Sequence, residues 1–169
     1  MTDKSLCNER FFNTFYTAHV QAASNFAYYK SGDKSTSLDL AQEGFIKVWE
    51  NCTKIDILKA KSYLFTVINN LFLNKVKHQK VVFAYAKSSP YLDVDNQSPE
   101  YLLEEEEFKE KLKTAIEGLT EGERVVFLMH RIDGKKYREI ASSLEISQKA
   151  VEKRMSAALK KLRRNIEGI

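Results

Sequence analysis

The sequence predicts an all-α protein: two small helical domains joined by a flexible linker, the second domain a helix-turn-helix. Three observations predict it. Apolar residues recur every three or four positions over several long windows. That periodicity lapses from Tyr85 to Pro99, a stretch that holds both prolines of the chain together with Ser88, Ser89, Asp93, Asp95 and Asn96. The last third, Leu119 to Arg164, divides into three short helical runs, the final two joined by a tight turn. The expected boundaries are therefore 1–84, a linker over 85–99, and 100–169.

The first helix is expected over Phe11–Lys30. Phe12, Phe15, Tyr16, Val20, Ala23, Phe26 and Ala27 line one face, and an aromatic stripe of this kind belongs in a core. Ser31-Gly32-Asp33 breaks it. A second helix follows from about Ser37 to Asn51, with Ala41, Phe45, Val48 and Trp49 inward and Asp39, Gln42 and Glu43 on the opposite face. Thr36 and Asp39 stand at capping spacing there. Asn51 to Lys59 has no period and reads as a loop. The third helix, Ala60–Gln79, is apolar through Leu64, Val67, Ile68, Leu71 and Phe72. It also carries Asn69, Asn70, Asn74, Lys75, Lys77 and His78. Asn is a poor helix former, so three in one helix suggest that their amides are used, and amides bond base edges and phosphates. Beside them, Tyr63 and Phe65 offer a stacking platform for single-stranded bases, or else core aromatics under a solvated basic face.

Past the linker, eight acids face Lys109 alone between Asp93 and Glu110, a net charge of −7. Leu103, Phe108, Leu112 and Ile116 keep helical spacing through Glu100–Glu117, so the acids coat a helix. Thr120 and Glu123 then form a capping-box pattern ahead of the apolar run Val125–Met129, and Asp133-Gly134 ends that helix. A short helix carries Tyr137, Ile140, Ala141 and Leu144. After the turn at Glu145-Ile146, Ser147 can cap the last helix. That helix buries Ala150, Val151, Met155, Ala158, Leu159 and Leu162. Its other face shows Gln148, Lys149, Glu152, Lys153, Ser156 and Lys160. From Asp133 to Ile169 there are ten Lys/Arg against five acids, net +5, which suits a polyanion, and the two-helix geometry suits a DNA major groove.

Composition narrows the classes further. The chain has 169 residues, 43% hydrophobic and 30% charged, with a net charge of +4. No apolar run approaches the roughly 20 residues that span a bilayer, and the first residues hold no apolar signal core, so membrane insertion is not expected and a cytoplasmic protein is. Cys7 and Cys52 are the only cysteines. They are too few for a disulfide framework and lack metal-ligand spacing, so both are expected as reduced thiols. His19, His78 and His130 are isolated and no acids stand at metal spacing. Neither a catalytic group, a metal nor a cofactor is expected, and the protein is not read as an enzyme.

Two blocks carry a wider likeness. Asp39-Leu40-Ala41-Gln42-Glu43-Gly44-Phe45-Ile46-Lys47-Val48-Trp49 followed by Ser62-Tyr63-Leu64-Phe65-Thr66-Val67-Ile68-Asn69-Asn70 is one. Leu119-Thr120-Glu121-Gly122-Glu123-Arg124 with Tyr137-Arg138-Glu139-Ile140-Ala141 through Leu162-Arg163 is the other. In this order, around an irregular linker, they make the whole chain resemble the bacterial RNA polymerase sigma factors of the extracytoplasmic-function group. The resemblance implies that Asp39, Gln42 and Glu43 dock on the clamp helices of core RNA polymerase. It implies that Asn51–Lys59 pockets a flipped-out base with Asn70 facing it, and that Tyr63, Asn70, Asn74 and Lys77 serve the minus-ten element. It places Gln148, Lys149, Glu152, Lys153, Arg154, Ser156 and Ala157 at the minus-thirty-five element, with Lys149 and Arg154 on phosphates. Core polymerase and promoter DNA are the implied partners, with an anti-sigma protein as an implied regulator. The chain departs from the family at Asn74 (often Asp), Lys77 (often Arg), Tyr63 (usually Trp), the small Ala157, and Glu145 where Gly is common. If the turn keeps the family geometry, Glu145 has a positive φ. The competing class is a helix-turn-helix regulator that dimerises through its amino-terminal lobe and binds a palindromic duplex without polymerase.

Overall fold

A computed structural model describes residues 5–75 and 99–166, with side chains from 104 onward in the second segment. Its elements are α1 (Glu9–Ser31), α2 (Lys34–Glu50), a 3-10 turn (Ile57–Lys59), α3 (Ala60–Lys75), α4 (Pro99–Glu117), α5 (Glu121–Arg131), α6 (Tyr137–Leu144) and α7 (Gln148–Asn165). The described residues contain no strand, as an all-α fold requires. The expected linker, apart from Pro99, and the end of the third helix with Lys77 lie outside the described residues.

α1 begins at Asn8, whose side-chain oxygen accepts from the Arg10 and Phe11 N–H groups, and stops at Gly32, φ 69°. The chain then turns back within two residues. Asp33, rather than Thr36, caps α2 by accepting from the Thr36 N–H at 2.7 Å. The two helices run antiparallel: the Phe12 ring meets Trp49 at 4.9 Å, and Tyr16 meets Phe45 at 4.7 Å. Trp49 is expected to face inward; it is 41% exposed, at the open edge of this hairpin, where it meets the Phe12 ring and lines an open groove. Tyr16 likewise sits at the rim of the aromatic stripe, while Ala23, Phe26 and Ala27 are buried. α3 crosses α2 at Gly44, where an added Cβ would lie 2.7 Å from Ile68 Cγ1, so the absence of a side chain sets how closely the helices approach. Leu40, Phe45, Val48, Leu64, Phe65, Ile68 and Phe72 fill the space between the three helices.

The cysteines are not free. Cys7 and Cys52 form a disulfide with Cα atoms 5.2 Å apart. Spacing arithmetic missed it because the pairing follows from the hairpin: Cys7, two residues before α1, and Cys52, two residues after α2, arrive at the same end.

In the second lobe the expected caps are all present. Thr120 and Glu123 make a reciprocal capping box, Ser147 accepts from the Ala150 N–H, and Gly134 has φ 66°. Val125, Val126, Met129, Ile140, Val151 and Met155 pack α5, α6 and α7 together, and Ala115, Leu119, Ala158, Leu162 and Ile166 seat α4 on α7.

The lobes are packed on each other through α1–α5 and α3–α6. One buried hydrophobic cluster runs through both lobes, from Phe26 and Phe65 to Val125 and Met129, and polar contacts are set into the seam beside it. Arg124, 3% exposed, donates from Nε to the Tyr29 carbonyl at 2.8 Å and from Nη1 to Leu119 O at 3.2 Å, so one guanidinium satisfies the end of α1 and the turn before α5. Asp133 accepts from Asn25 Nδ2 at 2.9 Å and from the Tyr29 hydroxyl at 2.7 Å. Lys30, 2% exposed, pairs with Glu121. Burial lowers the Lys30 pKa, and Glu121 opposes that shift by favouring the charged form.

Candidate nucleic-acid interface

α3 presents its Asn residues unequally. Asn69 is half-buried and reaches Asn70, while Asn70 and Asn74 are exposed and Tyr63 is half-buried. Phe65, which the sequence leaves as either platform or core, is core: it is 1% exposed, meets the tilted Phe26 ring at 4.8 Å, and has the Lys135 Nζ 5.1 Å above its ring. Upstream of α3, the loop from Asn51 turns through a Lys54 N–H to Asn51 O bond at 2.9 Å. Asp56 then accepts from the Leu58 N–H at 2.9 Å to start the 3-10 turn. Leu58 is 91% exposed at the tip.

On α2, Asp39 and Gln42 are exposed and Glu43 is half-buried, forming an ion pair with Lys75 of α3 at 3.3 Å. These three residues do share a face. Beside it Phe12, Tyr16, Phe45, Ile46 and Trp49 line an open apolar groove of about 360 Å³, so the acidic face borders a hydrophobic one. An aromatic groove suits the core of a protein interface, and an acidic rim disfavours a phosphate backbone.

On α7, Gln148, Lys149, Glu152, Lys153, Ser156 and Lys160 are all exposed, as helical spacing requires. Gln148 Nε2 donates to Glu152 Oε1 at 3.1 Å, an i,i+4 bond that orders two side chains suited to reading base edges. Ala157 is half-buried. Arg154 departs from the group: it is half-buried, its guanidinium lies over Gly122 of α5, and it lines an interlobe cavity of about 580 Å³ with Lys30, Glu121 and Glu145. A second groove, of about 470 Å³, runs between Tyr137 and the exposed face of α7 and adds Lys160 and Arg163 to the candidate set. The sequence counts Arg163 among the basic residues and in the second block, without assigning it to DNA.

Glu145 has φ 54° and ψ 40°, the left-handed conformation expected of it, and it is the one non-glycine with positive φ among the described residues. Its carboxylate crosses the seam to accept from Thr66 Oγ1 at 3.3 Å, and Ser62 Oγ donates to Ser142 O at 3.1 Å. Neither partnership was visible in the sequence, nor were the seam roles of Tyr29, Lys30, Arg124 and Asp133. His19 faces the same region. Its pKa is lowered by burial first, and then by Lys61 and Lys135. Among the described residues, no group of three or more His, Cys, Asp or Glu could hold a metal ion, and no helix is long and apolar enough to cross a membrane.

Residues 15–82 match the family Sigma-70 region 2, and residues 109–162 match Sigma-70, region 4. The chain is 24% identical over 147 residues to the ECF RNA polymerase sigma factor SigE of Mycolicibacterium smegmatis, covering 86% of this chain and 57% of that protein's length. It is 25% identical over 149 residues to the ferric citrate uptake sigma factor FecI of Escherichia coli, covering 88% and 86%. It is 27% identical over 155 residues to the E. coli ECF RNA polymerase sigma-E factor, covering 83% and 77%. Its fold is similar to CnrH solved with the cytosolic domain of CnrY (TM-score 0.62, 21% identity, 93% of this chain and 88% of the other). It is also similar to RpoE of Bartonella quintana solved with the anti-sigma factor NepR (TM-score 0.59, 18% identity, 93% and 97%).

Proposed function

This chain belongs to the sigma-70 family, among its extracytoplasmic-function members, and we infer from that premise that it is a non-enzymatic specificity subunit that brings core RNA polymerase to promoters in the cytoplasm. The observation that carries the reading is the pairing of the two sigma regions, in order on one chain, each with an exposed polar face. The domains are taken as 1–84, a linker over 85–99, and 100–169. The face of Asp39, Gln42 and Glu43, with the apolar groove beside it, docks on the polymerase. The loop Asn51–Lys59 and the α3 residues Tyr63, Asn70 and Asn74, with Lys77 beyond the described part, capture the melted minus-ten strand. Gln148, Lys149, Glu152, Lys153, Ser156 and Ala157 read the minus-thirty-five element in the major groove. Arg154 is assigned to phosphates with Lys149, from a half-buried position against Gly122 of α5 beside the interlobe cavity. A protein of the anti-sigma class is a third partner, as for the RpoE relative.

Run-off transcription with purified core polymerase and a library of genomic fragments tests the reading. Discrete transcripts that require this chain are expected. Specific binding of the free protein to a palindromic duplex, with no polymerase-dependent transcript, would instead establish the dimeric regulator.

A further inference from the structure

The two cysteines stand at one end of the α1–α2 hairpin. Cys7 immediately precedes Asn8, the cap of α1, and Cys52 is the second residue of the loop that leads from α2 to α3. They are 45 residues apart in sequence, yet their Cα atoms are 5.2 Å apart, within the range a disulfide spans without backbone movement. Cys7 is exposed and Cys52 half-buried, so small oxidants and reductants reach the pair.

The bridge matters because of what it ties down. From Thr53 to Lys59 every side chain is exposed except that of Ile55, which is half-buried. The loop's hydrogen bonds are local, from Lys54 to Asn51 and from Leu58 and Lys59 to Asp56. A segment with little buried area and only local bonds samples many conformations. The disulfide adds a covalent anchor from outside, fixing the head of the loop to the start of α1, where Leu6 is buried at 1% exposure. In a reducing compartment such a bond is not a permanent strut; cytosolic disulfides are typically transient and redox-sensing.

We propose that Cys7 and Cys52 form an oxidisable pair whose disulfide rigidifies the base-capturing loop, so that a hydroperoxide raises promoter opening by this protein and a dithiol reductant lowers it. The proposal rests on the reading of residues 51–59 as the loop that receives an extruded base. The chemistry balances in two steps. The Cys7 thiolate attacks a hydroperoxide oxygen, the O–O bond breaks, and hydroxide leaves, giving a sulfenic acid. The Cys52 thiolate attacks that sulfur and expels a second hydroxide, which takes up a proton. Overall, two thiols and one hydrogen peroxide give one disulfide and two waters. A dithiol reverses this through a mixed disulfide, taking the two electrons back and becoming oxidised itself.

The full chain is treated with hydrogen peroxide or with dithiothreitol, the reagent is removed, and each form is alkylated and weighed. Both forms are then compared by hydrogen exchange over residues 51–59, and by permanganate footprinting of open complexes formed with core polymerase on a fragment recovered by run-off transcription. The oxidised chain should take up no alkyl group and the reduced chain two. Exchange in the loop should slow on oxidation, and at limiting polymerase the oxidised form should open roughly threefold to tenfold more promoter, the scale of pre-organising one or two side chains. Cys7→Ser should match the reduced wild type with or without peroxide. The proposal is overturned if peroxide leaves both thiols open to alkylation, or links chains to one another. It is also overturned if both forms open the promoter equally, and in that case the sigma reading stands. If neither form opens any promoter while mass confirms the bridge, the functional reading falls and takes this proposal with it.

Discussion

Replacing Glu145 with Gly separates three effects that the structure places at one residue. The first is backbone strain. At φ 54° a side chain pays the left-handed penalty, about 1 kcal/mol, which Gly escapes. The Ile146 N–H to Ala141 O bond that closes this turn is a backbone bond and survives the change. The second effect is the loss of a carboxylate near the amino-terminal end of α7, worth about 0.3–1 kcal/mol at low salt and less when screened. The third is the loss of the bond from Thr66, worth about 0.5 kcal/mol for an exposed contact at 3.3 Å. Strain relief roughly cancels the other two at low salt, so Glu145→Gly should change stability by less than about 1 kcal/mol, with the balance moving toward stabilisation as salt rises. In a Thr66→Ala background the third effect is already gone, and the same substitution should be more favourable by about 0.5 kcal/mol, a coupling that a double-mutant cycle reads directly. Urea unfolding of the four proteins at low and high salt is the assay. A loss above about 1 kcal/mol in the Thr66→Ala background would refute the strain argument. Zero coupling would show that Thr66 and Glu145 do not hold the seam in solution.

Asp39→Arg with Glu43→Arg should abolish most co-purification with core polymerase, because charge reversal adds repulsion to lost attraction. Its cost to the fold should stay within about 0.5 kcal/mol, since the Glu43–Lys75 pair is exposed; unchanged co-purification counts against the docking face. Asn70→Ala should reduce open-complex formation more than closed-complex binding, as read by permanganate footprinting beside a filter-binding assay, and equal losses would remove Asn70 from strand capture. His19 has a lowered pKa in the folded chain, so the unfolded chain binds its proton first. Its stabilising share is complete above the ordinary histidine range near about 6.5 and is lost as pH falls through that range toward the folded value. His19→Gln should therefore flatten the decline in stability between neutral and mildly acidic pH, and an unchanged slope would place the decline on other groups.

What was legible in the sequence was what local physics decides. Helix ends were readable where a residue type has one structural use: Gly32 and Gly134 at positive φ, Thr120 with Glu123, Ser147 before α7. The exposed face of α7 was readable because spacing alone decides which side chains share a face, and it correctly gathered Gln148 to Lys160. Even the strained Glu145 could be anticipated once the turn was matched to its relatives. Where several residues could do the same work, the reading slipped. Asp33 and Thr36 both qualify as caps, and only backbone placement chose Asp33. Trp49 has core spacing but falls at the edge of a two-helix face, where among the described residues no third helix covers it.

What stayed illegible was how the elements dock. The disulfide needed the hairpin to bring its ends together, and the seam needed residues 79 to 108 apart in the chain to meet. Arg124 lies 95 residues from Tyr29, whose carbonyl it caps, and Asp133 lies 108 from Asn25. No periodicity encodes such pairs, because each side chain looks locally like an ordinary surface charge. The chemistry of the seam also differs from that of the lobe interiors. Gly44 against Ile68 is apolar contact with nothing to exchange with water, whereas Lys30, Glu121, Arg124 and Asp133 all regain hydration if the lobes part. Opening the seam would therefore expose both these polar groups, which regain water, and part of the apolar cluster that the two lobes share, which does not. Parting the lobes would leave Arg154 on Gly122, since α5 and α7 belong to one lobe, and would expose Arg154 only on the side where it lines the interlobe cavity.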